Sequence, residues 1–155
     1  MAIFLVQHGK CLSKEVDPER SLSEKGIAEV EKIATFAGNH NVAVSLIAHS
    51  GKKRAAQTAE ILAAALCPPK GVVSMDGLKP LDDVQVFAAK LDNSRNIMFV
   101  GHLPFMEKLT SLLVAGKDDI GVCKFQNGGI VCLDFNTEQT WFIRWALMPD
   151  LAVDS

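Results

Sequence analysis

The sequence predicts an α/β protein: a three-layer sandwich with a mostly parallel central sheet, helices on both of its faces, and an antiparallel C-terminal edge strand. Three observations carry this expectation. Short apolar, β-prone runs alternate with segments whose apolar residues recur at helical spacing. Three of the runs break at a histidine beside a small residue, as strands entering loops do. The C-terminal third instead carries two strand-like segments joined by Asn136-Thr137-Glu138, which reads as an antiparallel hairpin. With 155 residues, 48% of them apolar, one domain over residues 1–155 buries an adequate core, with the tail from Asp150 frayed.

Taken in order, Ala2 to Val6 is a buried strand that breaks at Gly9. Ser23-Glu24-Lys25 starts a helix with Ile27, Val30, Ile33, Ala34 and Ala37 on one face, and Gly38-Asn39 ends it. Val42 to Ile47 is the second strand, followed at His49-Ser50-Gly51 by an alanine-rich helix over Lys52 to Leu66 that Pro68-Pro69 stops. Val72 to Met75 is a short strand. Asp82 begins a helix with Val84, Phe87, Ala88 and Leu91 in a stripe. Ile97 to Val100 is a strand broken by Gly101-His102, and Pro104 suits the first turn of a helix carrying Phe105, Leu109, Leu112 and Leu113. Gly128-Gly129 is a tight entry into a strand ending at Phe135. Thr140 to Ala146 is the last strand, with Trp141, Ile143 and Trp145 on one face.

Composition excludes several classes. Sixteen basic against eighteen acidic residues give a net charge of −2, which argues against nucleic-acid and membrane-surface partners. The balance is uneven, with 9 basic and 7 acidic residues through Lys70 and 7 and 11 beyond it, so an anion site should draw on the first half. Cys11, Cys67, Cys123 and Cys132 form no CxxC pair and none lies near a histidine at zinc-ligand spacing. They read as reduced thiols of a cytoplasmic protein without a metal site. The N-terminal apolar run is too short for a signal peptide or a membrane span.

Chemistry gathers at the three strand ends Val6-Gln7-His8-Gly9, Ala48-His49-Ser50-Gly51 and Val100-Gly101-His102. Ligands of open α/β sheets bind at the carboxyl ends of strands, and right-handed crossovers bring these ends to one edge. Lys52, Lys53 and Arg54 follow in the first turn of a helix, where cations oppose the macrodipole. Lys52 and Lys53 read either as a solvated patch or as auxiliaries to a site. Arg54 reaches over the helix N-terminus with the bidentate fork that phosphate recognition uses.

His8-Gly9, Arg54 within Ser50-Gly-Lys-Lys-Arg-Ala-Ala-Gln-Thr-Ala-Glu60, and Gly101-His102-Leu-Pro resemble the histidine phosphatase superfamily. Arg20-Ser-Leu-Ser-Glu-Lys-Gly26 and the short length narrow the resemblance to the SixA-type phosphohistidine phosphatases, over residues 2 to about 147. The resemblance implies His8 as the nucleophile, forming a phosphohistidine intermediate. It implies Arg54 and His102 as holders of the phosphoryl oxygens, Arg20 as an outer contributor, and no metal or cofactor. The implied substrate is a phosphorylated protein or a small phosphorylated compound. One position departs: the family has Arg-His-Gly at the first junction, and here Gln7 precedes His8, keeping a hydrogen-bond donor but losing a charge. Three readings follow: a weakened enzyme, one in which Lys52, Lys53 or His49 compensates, or a phosphate-binding module without chemistry. Phosphoryl transfer between small molecules, as in the mutases, is disfavoured by the lack of room for enclosing loops. His49 faces the site or packs inertly. Asp82 and Asp83 are a helix cap with its first turn, or a source of the general acid.

Overall fold

Alternation along one central strand decides which helices cover which face of the sheet. The computed structural model describes residues 2–91 and 95–152. In chain order the elements are β1 (Ala2–Gln7), α1 (Glu24–Asn39), β2 (Leu46–His49), α2 (Lys53–Leu66), β3 (Val72–Ser74), α3 (Val84–Ala88), β4 (Ile97–Gly101), α4 (Phe105–Ala115), β5 (Ile130–Phe135), β6 (Trp141–Leu147) and α5 (Pro149–Ala152). The strands lie in the order β3-β2-β4-β1-β5-β6. The first four are mutually parallel, while β5 runs antiparallel to β1 and β6 antiparallel to β5.

Even positions of β1, Phe4 and Val6, pack with Val30 and Ile33 of α1 and Ala59 and Leu62 of α2. Odd positions, Ile3 and Leu5, pack with Phe87 of α3, Phe99 of β4 and Phe105 and Leu109 of α4. The sheet is thus buried on both sides, which is why its strands read as unbroken apolar runs. Phe87 stands edge-on to both Phe99 and Phe105, with centroids 5.1 and 5.5 Å away. Truncating the buried Phe99 to alanine should cost about 3–5 kcal/mol.

Local chemistry sets the boundaries. Ser23 caps α1, its Oγ accepting from the Gly26 N–H at 3.0 Å. Ile27, expected on the buried stripe, is 36% exposed, and Gly26 is buried in its place. The first turn of α1 lies so close to the loop after β1 that a Cβ at position 26 would come within 2.0 Å of the Lys10 carbonyl oxygen. The second strand begins at Leu46 rather than Val42, because Val42 still donates to the Ala37 carbonyl and closes the end of α1. α3 begins at Val84 rather than Asp82; Leu91 lies beyond its end yet is buried. A bulge in β6 pairs Cys132 with Trp145 but Leu133 with Ile143. The extra residue, Arg144, rotates Trp145 onto Phe4 on the α1/α2 side, while Trp141 and Ile143 pack on the other, so the three do not share a face as the sequence suggested. Beyond Asp150, where fraying was expected, α5 runs to Ala152; residues 153–155 lie outside the described residues. Among the described residues no helix is long and apolar enough to cross a membrane.

Candidate active site

Strand register decides which side chains reach the end of the sheet. Val6 and His49 both pair with Val100, and Gln7 pairs with Gly101. His8 and His102 therefore stand one residue beyond the last paired rung of neighbouring strands. The His8 N–H donates to the Gly101 carbonyl at 3.0 Å, and the two imidazole centroids lie 5.0 Å apart.

His8 is held from three sides. His8 Nδ1 lies 2.7 Å from the Gly9 carbonyl, which only accepts, so Nδ1 carries the proton and Nε2 keeps a free lone pair. The His8 carbonyl accepts from the Gly128 N–H at 3.1 Å and from Asn127 Nδ2 at 3.2 Å. The Gly9 N–H donates to Thr58 Oγ1 at 3.0 Å, and the Thr58 hydroxyl donates to the Arg54 carbonyl at 2.8 Å. Burial pushes the His8 pKa down to about 4, with Arg54 and Arg20 acting in the same direction and the Gly9 bond opposing them. The imidazole is neutral at physiological pH, the state a nucleophile needs.

His102 is 1% exposed, and its Nε2 lies 2.6 Å from Ser50 Oγ. Ser50 Oγ also accepts from the Lys52 N–H at 3.3 Å, and in the tautomer where its own hydrogen points to Nε2 the neutral His102 ring carries its proton on Nδ1. That Nδ1 is buried and has no partner. Burial, then the nearby His8, Arg54, Lys52 and Arg20, bring the His102 pKa down to about 3, so the ring donates as a neutral group. Arg20 and Arg54 each bury an unpartnered Nε, and burial followed by Arg20 lowers the Arg54 pKa. Arg20 sits at φ 53° in a turn built on Asp17, whose carboxylate accepts from the Ser21 N–H and hydroxyl and from the Glu19 N–H. Its Nη2 reaches Cys11 Sγ at 3.4 Å. Gln7 Oε1 is also buried and unpartnered, and half a turn of the amide presents its NH₂ at the same place.

Gln7, His8, Arg20, Arg54 and His102 line a cleft of about 640 Å³, with Asn127, Lys10, Cys11 and Ser23 completing the polar wall and no carboxylate among the lining residues. A buried donor without a partner costs about 1–3 kcal/mol. Two arginines and a second histidine lining the cleft beside the His8 lone pair suit a tetrahedral oxyanion.

The family model of the histidine phosphatase superfamily (branch 1) matches residues 3–82. The chain belongs to the histidine phosphatase superfamily. Solved structures extend the likeness to nearly the whole chain. The protein histidine phosphatase SixA complexed with tungstate shares 24% identity over 97% of this chain and 99% of its own, with a TM-score of 0.85. A protein assigned as phosphohistidine phosphatase SixA from Agrobacterium tumefaciens shares 26% identity over 96% and 97%, TM-score 0.78. A protein assigned as an α-ribazole-5′-phosphate phosphatase from Escherichia coli shares 17% over the full length of both chains, TM-score 0.77. No curated protein matches the chain by sequence.

Within this superfamily fold, the structure gathers His8, Gln7, Arg20, Arg54 and His102 around one cleft and leaves the four auxiliary positions outside its lining. His49 is two residues short of the rung that His8 and His102 occupy. Its Nδ1 accepts from the Gly51 N–H at 3.0 Å, and Glu60 of α2 is its charged neighbour. Lys53 pairs with Glu19 at 3.1 Å. Lys52 is the N-cap residue of α2 and acts on His102 through its charge. Asp83 caps α3, accepting from the N–H groups of Gln85 and Val86, and Asp82 accepts from the Lys79 N–H. Sequence reasoning missed Ser50, Thr58 and Asn127. Thr58 carried a signal, standing four residues after Arg54, where a helical threonine returns its hydroxyl to the preceding turn. All four cysteines are free thiols. Among the described residues no group of three or more His, Cys, Asp or Glu side chains is placed to hold a metal ion.

Proposed function

We propose that the protein is a phosphohistidine phosphatase working through a phosphohistidine intermediate on His8. One observation carries this reading: His8 Nε2 keeps a bare lone pair in a cleft lined by Arg20, Arg54 and His102. The Nε2 lone pair attacks phosphorus while the bond to the leaving group breaks, and Arg54 and His102 disperse charge on the equatorial oxygens, with Arg20 and Gln7 contributing. Water then attacks the phosphorus, freeing inorganic phosphate and neutral His8. A phosphoramidate nitrogen is protonated before it leaves, whereas an alkoxide gains more from a positioned acid. The lack of a carboxylate in the cleft lining supports phosphohistidine on that ground, as does the likeness to SixA.

Rapid-quench labelling with radioactive phosphohistidine should trap acid-labile, base-stable phosphate on His8. Labelling elsewhere, or full turnover by His8→Ala, overturns the assignment. Gln7 favours a second reading, a phosphate-binding module with weakened chemistry, because the amide brings no charge where the family has arginine. Gln7→Arg decides between them. A gain of about tenfold or more in kcat marks a working enzyme short of one cation, and phosphate binding without turnover in both forms marks the module.

A further inference from the structure

A second groove, of about 680 Å³, runs beside the cleft and shares Arg20, Arg54 and Pro80 with it. Lys14, Lys52, Lys53 and Lys79 supply its other cations, against the carboxylates of Glu19 and Asp82. Both carboxylates are engaged within the wall: Glu19 pairs with Lys53, and Asp82 accepts from the Lys79 backbone N–H. No ion pair engages Lys14, Lys52 or Lys79 among the described residues, and Lys52 and Lys79 also border the adjoining hollow formed with Ser50 and Gly51. This cationic excess sits on a chain of net charge −2. Leu81, in the wall of the groove, is 87% exposed, and Val16, on the loop that also supplies Lys14 and Pro18, is 71% exposed. Burying one such aliphatic side chain contributes about 1.5–3 kcal/mol, and here that contribution is left unused.

A small phosphorylated compound is contained by the 640 Å³ cleft and has no use for the groove. A protein that presents a phosphorylated side chain to His8 must lie across the rim and cover it. We infer that the groove docks an acidic surface of a protein substrate, its carboxylates facing Lys14 and Lys79 and an aliphatic side chain seated on Leu81. The inference rests on the phosphatase reading above and adds the chemistry of the partner. Charge complementarity decides in favour of an acidic surface, and Leu81 makes a purely ionic contact insufficient.

The test uses two synthetic peptides phosphorylated on a central histidine, identical except that one carries glutamates and a leucine beside it and the other glutamines and a serine. Free phosphohistidine reports the cleft alone. The wild-type protein should favour the acidic peptide about tenfold in kcat/KM at low ionic strength, and added salt should shrink the ratio. The double variant Lys14→Glu, Lys79→Glu should bring the ratio to one or below. Leu81→Ser should reduce it about threefold. Neither variant should change turnover of free phosphohistidine. Equal use of both peptides by the wild type, or a preference that survives the double variant, overturns the docking surface. Fluorescence anisotropy with the unphosphorylated peptides measures the same preference without catalysis. A protein that hydrolyses nothing yet binds the acidic peptide through Lys14 and Lys79 fails the phosphatase reading and keeps the groove.

Discussion

Two strand ends that each carry a histidine beside a small residue behave differently. Val100-Gly101-His102 delivers its histidine into the cleft, and Ala48-His49-Ser50 does not. The difference is register. His49 pairs with Val100, level with Val6, so its side chain is still part of the strand and lies near α2; His102 comes after the last pairing of β4 and is released into the loop. At the end of β2 it is Ser50 that meets the site, and it does so through His102. A histidine at a strand end enters the cleft by overshooting the ladder, and one that stops two residues short is a strand residue.

That contrast can be broken by mutation, from the largest expected effect to the smallest. His8→Ala should lower kcat for phosphohistidine by about 10⁴-fold or more, the scale of losing a nucleophile. Arg54→Ala or His102→Ala should lower it by about 10²–10³, the scale of removing one oxyanion donor, with His8 still labelled in rapid-quench experiments. Ser50→Ala should lower it by about tenfold, because His102 Nε2 loses its buried hydrogen-bond partner; Ser50→Thr, which restores a hydroxyl, should recover most of the loss. His49→Ala should change kcat by less than about twofold, within the range of an ordinary surface substitution. A large loss there would mean that the strand end of β2 acts directly on substrate.

The pH dependence of stability separates the buried pair in another way. His8 and His102 are held neutral in the folded protein, at about 4 and about 3, against 6.5 when unfolded. Between these values the unfolded chain binds more protons, so stability is lost as pH falls below 6.5 toward 4. Thermal denaturation should show Tm falling more steeply over that window in the wild type than in the His8→Asn, His102→Asn variant.

Much of this was legible in the residues. The succession of strands and helices and the mostly parallel sheet with its antiparallel edge follow from apolar runs and helical periodicity, and His8, Arg54 and His102 were visible at or just after strand ends, whereas Arg20 came only from the family resemblance. What periodicity does not encode was lost. It counts apolar positions but not close approach, so Ile27 was placed inside where only Gly26 fits. It does not foresee a bulge, so Trp145 was assigned to the wrong face. Ser50, Thr58 and Asn127 matter through hydrogen bonds to partners 52, 49 and 119 residues away, which no local window contains.

The Thr58 hydroxyl has one further consequence. It accepts from the Gly9 N–H behind His8 and donates to the Arg54 carbonyl, so His8 and Arg54 are linked through α2. The Arg20 turn is anchored by Asp17 within its own loop and tied to the same helix by the Lys53–Glu19 pair and by Gln57, which accepts from the Leu22 N–H at 2.7 Å. One helix therefore braces the loop behind His8 and the loop that carries Arg20.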